Sequence, residues 1–71
     1  MMEYERGKCV RIVRKESIFK IKDWEIEDIK DIQEIGGGET KTFFLKSKKV
    51  RQPIQVDKRW LDRNTKIVRC Q

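Results

Sequence analysis

Lys46-Ser47-Lys48-Lys49-Val50-Arg51 places four positive charges in six residues. Cations at that density suit one kind of chemistry, the neutralisation of a row of phosphates. Each lysine or arginine that engages a phosphate releases condensed counterions, so such sites bind polyanions with a steep salt dependence. Phe44 precedes the run by two residues. Adjacent strand residues point to opposite faces, so Phe43 and Leu45 would share an apolar face, with Phe44 beside Thr42 and Lys46 on the other. A ring on a basic outer face is a platform for base stacking, at roughly 1–3 kcal/mol per base. Equally, the acidic segment or the turn around Trp60 can cover that face, making Phe44 ordinary second-side core.

The charges are segregated along the chain. Residues 23–39 hold Asp23, Glu25, Glu27, Asp28, Asp31, Glu34 and Glu39 against Lys30 alone, a net charge of −6. The remaining residues carry 17 bases and 5 acids. A small domain so divided has an oriented field, which selects partners and docking direction.

Other chemistries fail on spacing. Gly36-Gly37-Gly38-Glu39-Thr40-Lys41-Thr42 looks like a phosphate loop, but no glycine precedes Lys41 at the required offset. The glycines also lead into a strand, where a P-loop leads into a helix. The carboxylates lack the interleaved ligands and fixed glycine of a calcium loop. No carboxyl is marked for general acid–base work. The chain has no histidine, and Cys9 and Cys70 match no zinc spacing. Neither a catalytic function nor a cofactor or metal is expected. The cysteines could form one disulfide, but without a secretory signal they read as free thiols.

The elements that would position the basic run are short strands. Charge is 42% and apolar content 37%, the direction of disorder. The apolar residues nevertheless fall in patterned β-branched and aromatic runs, which predicts one small domain over residues 1–71. Cys9 to Arg14 reads as a strand with Val10 and Ile12 on one face. Ile18 to Lys22 reads as a second, Phe19 and Ile21 inward and Lys20 and Lys22 outward, joined to the first by a hairpin turn at Lys15-Glu16-Ser17. In the acidic window, Ile26, Ile29, Ile32 and Ile35 recur every three residues, which smears over half a helix circumference instead of forming a stripe. Strand, turn at Glu27-Asp28, strand is preferred to a helix capped by Asp23. The three glycines mark a loop. Thr40 to Lys46 is a strand, Ser47-Lys48-Lys49 a turn, and Val50 to Val56 a strand that Pro53 confines to an edge or bulge. Asp57 caps a helical turn over Lys58 to Arg63 that drops Trp60 and Leu61 onto the core, and Asn64 closes it. Lys66 to Arg69 is the last strand. Trp24 and Trp60 are expected in the core.

Arg6-Gly7-Lys8-Cys9-Val10-Arg11-Ile12-Val13-Arg14-Lys15-Glu16-Ser17 resembles the first strand of the small SH3-like stromal subunit of photosystem I. That family opens with a similar Arg-Gly-x-x-Val-Arg-Ile-x-Arg-x-Glu-Ser run. The similarity stops at Ile18, where the family continues with aromatic residues and a glycine-containing second strand. It implies an SH3-like barrel and carries no function across.

The expected fold is therefore mainly β: a small SH3-like barrel or bent antiparallel sheet of five to six short strands with one helical turn. The expected activity is non-catalytic nucleic-acid binding. Lys46, Lys48, Lys49 and Arg51 would take phosphates, Phe44 would stack, and Arg11, Arg14, Lys20 and Lys22 would extend the positive surface. The alternative is a protein-interaction module, a small inhibitor or adaptor that docks on a basic partner through Glu25, Glu27, Asp28 and Asp31. No apolar run approaches the ~18 residues of a membrane span. No basic amphipathic helix suits a lipid surface, and a cytoplasmic protein is expected.

Overall fold

The computed structural model describes residues 4–15, 19–33 and 35–70. Five antiparallel strands form one sheet: β1 (Cys9–Ile12), β2 (Asp23–Gln33), β3 (Glu39–Lys46), β4 (Ile54–Asp57) and β5 (Thr65–Val68), with helix α1 (Lys58–Asn64) between the last two. The spatial order is β4-β3-β2-β1-β5. The sheet is open, with β4 and β5 as its edges, so barrel closure is not seen.

Alternation decides what is buried. Val10, Ile12, Trp24, Ile26, Phe43 and Leu45 point to one face, where they meet Leu61 of α1 and Tyr4, all of them buried. Cys9 and Arg11 of β1 take the other face. Asp57 has the side-chain oxygen an N-cap needs, and its Oδ1 accepts from the Trp60 amide at 2.7 Å. At the other end Asn64 Nδ2 donates to the Trp60 carbonyl at 2.8 Å, and Thr65 Oγ1 donates to the Leu61 carbonyl at 2.7 Å. The Thr65 amide also donates to the Leu61 carbonyl, so backbone and side chains together close the last helical turn. Leu61 is thereby set into the core with none of its surface exposed.

Three expectations about the strands are corrected. Of the strand proposed over Ile18 to Lys22, the described residues 19–22 are not strand, and β1 takes β2 as its neighbour, with Val10 opposite Trp24. Of the proposed turn and strand start, Glu16, Ser17 and Ile18 lie outside the described residues. Phe19 and Ile21 still pack against the core as the alternation predicts. The Trp24 indole N–H donates to the Ile21 carbonyl at 3.0 Å, and Phe19 stands edge-on to Trp24 and Trp60. Ring and backbone contacts to the core thus hold this segment as a loop. Within the acidic window Asp23–Gln33 is one continuous strand, and the turn expected at Glu27-Asp28 is instead a register shift between Ile26 and Asp28. One extra residue in a strand reverses the phase of every side chain after it. Ile29, opposite Phe43, therefore packs toward the core although it lies three residues beyond Ile26. Third, β4 begins only at Ile54. Pro53 has no amide hydrogen for the ladder, and β4 is an edge strand, as proline requires.

Cys9 and Cys70 are joined in a disulfide, their Cα atoms 5.2 Å apart, which corrects the free-thiol expectation. Antiparallel pairing of β1 with β5 sets Cys9 opposite Val68 and brings Cys70 within bonding distance, a non-local event that cysteine spacing does not encode. Closing a loop of sequence separation 61 stabilises the fold by about 4 kcal/mol in the chain-entropy model.

Tyr4 offers a direct check of the packing. Its hydroxyl donates to Asp62 Oδ1 at 2.8 Å, and its ring stands edge-on to Phe43 at 5.7 Å. Burial first, and then the hydrogen bond and negative charge of Asp62, push its pKa from 10.0 up to about 12. The folded state thus favours the neutral phenol. The corresponding stability is fully present below the unfolded pKa and is lost as pH rises from about 10 to about 12. The chain has one tyrosine, so its phenolate absorbance is expected to titrate near pH 12 when folded and near pH 10 in denaturant. A folded midpoint near 10 would show the ring to be solvated.

Candidate nucleic-acid interface

Where β1, β2 and β3 meet the Phe19–Lys22 loop, the outer side of the sheet carries an open groove of about 910 Å³. Its walls come from three places remote in sequence: the loop before β2, the turn after β3, and the chain just past β5. Arg11, Lys20, Lys22, Lys46, Lys48, Lys49 and Arg69 line it, against two acids, Asp23 and Glu25.

Each of those acids already has a partner. Arg11 Nε lies 2.7 Å from Asp23 Oδ1, and Lys46 Nζ lies 3.6 Å from Glu25 Oε2. Both pairs are well exposed, so each contributes at most about 1 kcal/mol. They do, however, neutralise the floor of the groove. Lys20, Lys22, Lys48, Lys49 and Arg69 remain on its walls, and none makes an ion pair with any described carboxylate. Lys22 Nζ donates to the Phe19 carbonyl at 3.2 Å, which aims its charge along the loop. The Ser47-Lys48-Lys49 turn forms as expected. The Val50 amide donates to the Ser47 carbonyl at 3.3 Å, and the Lys49 amide to Ser47 Oγ at 3.2 Å. This turn holds both lysines at the exposed end of β3.

Six of the nine residues expected to contact nucleic acid are therefore brought together. The other three do not line the groove. Arg51 is exposed in the loop before β4, and Arg14 is exposed just past β1. Phe44 does point to the outer face, opposite Asp28 on one side and Gln55 on the other. It is half-buried, with Lys30 Nζ 5.1 Å from its ring centroid. The acidic strand thus lies beside β3 in the plane of the sheet, and its lysine, not its carboxylates, caps the ring. Arg69 is the groove residue that local pattern did not show, because its place depends on β5 pairing with β1.

The acidic candidates do not form one surface. Glu25 lies in the groove, Asp28 pairs with Arg6 at 2.9 Å, Glu27 is exposed at the register shift, and Asp31 is exposed opposite Lys41. Beyond Lys30 the β2–β3 hairpin has no third strand among the described residues, because β1 pairs only as far as Glu25 and β4 only as far as Thr42, which stands opposite Lys30. Ile32 is 49% exposed and Ile35 wholly exposed on that arm. The eight β2 residues past Glu25, at about 3.3 Å each, set the far end of the strand roughly 26 Å from the groove.

Among the described residues no cluster of cysteine and carboxylate side chains is arranged to hold a metal ion, and no helix is long and apolar enough to cross a membrane. No protein-family model, curated protein or solved structure matches the chain.

Proposed function

We propose that the chain is a non-catalytic nucleic-acid-binding domain whose phosphate-binding surface is the groove between the Phe19–Lys22 loop, the Ser47–Lys49 turn and Arg69. One observation carries this reading: seven bases from separate parts of the chain converge on one open channel, and five of them have no carboxylate partner among the described residues. A structural role for surface bases would call for ion-pair partners or dispersal, and these five have neither among the described residues. The acidic hairpin projects from the far end of β2 and β3, so the field favours approach groove-first. The finer fold reading that accompanies this is an SH3-like one, supported by the first-strand resemblance and by the helical turn ahead of β5.

The test is a binding panel of single- and double-stranded DNA and RNA over a salt series. If the five unpaired cations each neutralise one phosphate, log K is expected to fall against log salt with a slope of about −3.5 to −4.5. That amounts to a loss of affinity on the order of a few hundredfold between about 50 and 200 mM salt. Binding that does not respond to salt removes the reading.

A second reading, docking of the acidic hairpin arm on a basic protein partner, is favoured by the exposure of Ile32 and Ile35 on a segment whose surrounding sequence is net negative. The two readings use opposite ends of β2, and substitutions at one end leave the other intact.

A further inference from the structure

The groove has one covalent element in its lining, the Cys9–Cys70 disulfide. Its placement is peculiar for a structural crosslink. Cys9 is half-buried on the outer face of β1, while Cys70 is exposed near the end of the chain. The strand pairing ends at the Cys9–Val68 rung. Beyond that rung, the described tethers of Arg69 and Cys70 are the disulfide itself and a 3.2 Å approach of Cys70 Sγ to the Gly7 carbonyl. β5 delivers the chain to the edge of the groove, and past Val68 the place of Arg69 in the lining is held by the bond of the next residue to Cys9 of β1. The same lining supplies Arg11, Lys48 and Lys49, an electropositive setting that favours thiolate over thiol and so speeds exchange at an exposed sulfur.

From this arrangement we infer that the Cys9–Cys70 bond is a redox clasp on the basic groove. Opened by a dithiol reductant, it releases Arg69 from the wall and weakens nucleic-acid binding. The thiolate of the reductant attacks one sulfur, the Cys9–Cys70 bond breaks and a mixed disulfide forms. The second thiol of the reductant then displaces the protein. The dithiol leaves as a disulfide, and its two electrons, with two protons, leave Cys9 and Cys70 as thiols. The other groove cations sit on β1, β3 and the loop and turn packed beside the sheet, so only Arg69 is withdrawn. The inference rests on the groove being the nucleic-acid site, and it adds the control of that site.

Two readouts test it on the full chain. In the first, binding of a labelled oligonucleotide is followed across salt before and after dithiothreitol. Losing one phosphate contact is expected to flatten the salt slope by about 0.7–0.9 and to lower affinity roughly sixfold at about 0.1 M salt. Oxidised Arg69→Ala should already show the flatter slope and respond no further to reductant, and a Cys9→Ser, Cys70→Ser double variant should ignore reductant. Equal slopes in the two redox states, or a slope that collapses entirely because the domain has unfolded, overturn the inference. The second readout needs no nucleic acid. Trypsin is expected to cleave after Arg69 readily in the reduced chain and slowly in the oxidised one. Equal cleavage overturns the clasp. Redox-dependent cleavage without oligonucleotide binding shows that the clasp opens but overturns its control of nucleic acid, and with it the groove reading.

Discussion

Reversing both charges of the β3–β4 turn, Lys48→Glu with Lys49→Glu, is expected to lower nucleic-acid affinity by on the order of 40-fold or more at about 0.1 M salt and to flatten the salt slope by nearly 2. The two lysines are exposed and lack carboxylate partners among the described residues. Their backbone is held by Ser47, not by their own side chains. The substitution should therefore leave the denaturation midpoint almost unchanged, since surface changes away from packed features usually stay within about 0.5 kcal/mol. Circular dichroism melts alongside the binding isotherms check both halves. Unaltered affinity would exclude the turn from the interface. Neutralising Glu27 and Asp31 at the same time provides a control at the far end of β2. That change should spare nucleic-acid binding and should impair only a partner that grips the hairpin arm.

Leu61→Ala should produce the largest loss of stability. Leu61 is entirely enclosed among Tyr4 and the inward side chains of β1, β2 and β3, and it ties α1 to the sheet. Truncating a leucine in such a site costs about 2–5 kcal/mol, the transfer term plus the void left behind. A domain of this length is stable by only about 4–10 kcal/mol in total. The melting temperature is expected to fall by roughly 10–25 °C, whereas Leu61→Met should cost under about 1.5 kcal/mol. An alanine variant that melts with the parent would mean that α1 is not fastened through this side chain. Loss of α1 would also release Asn64, whose carbonyl accepts from the Val13 amide at 2.8 Å and so steadies the exit of β1 beside the groove.

Local rules disclosed what local forces decide. The Asp57 cap, the Gly36–Gly38 loop, the Ser47–Lys49 turn and the inward sets of β1 and β3 each follow from a few neighbouring residues, and each is present. What the pattern missed depended on pairing between distant segments. The three-residue spacing of the isoleucines argues against a helical stripe, but read locally it suggests a turn at Glu27-Asp28. One extra residue opposite β3 resets the phase instead, and only the partner strand reveals that reset. Ile18 to Lys22 has strand-like alternation but no free neighbour, because β2 already occupies the edge of β1 it would need. The candidate site divides along the same line. Its lysine run was visible as composition, and the outward turn of Phe44 as parity. The assembly of Lys20, Lys22, Lys48, Lys49 and Arg69 into one channel required the sheet order.

The bond between residues 9 and 70 also governs how the chain would respond to damage. Residues 35–38, at the tip of the hairpin, are exposed, the kind of site where endopeptidases first cut. A single cut there leaves two pieces still stapled together through sulfur, with β2 and β3 able to keep their pairing. The injured molecule would migrate as intact on a non-reducing gel and separate into two fragments only after reduction.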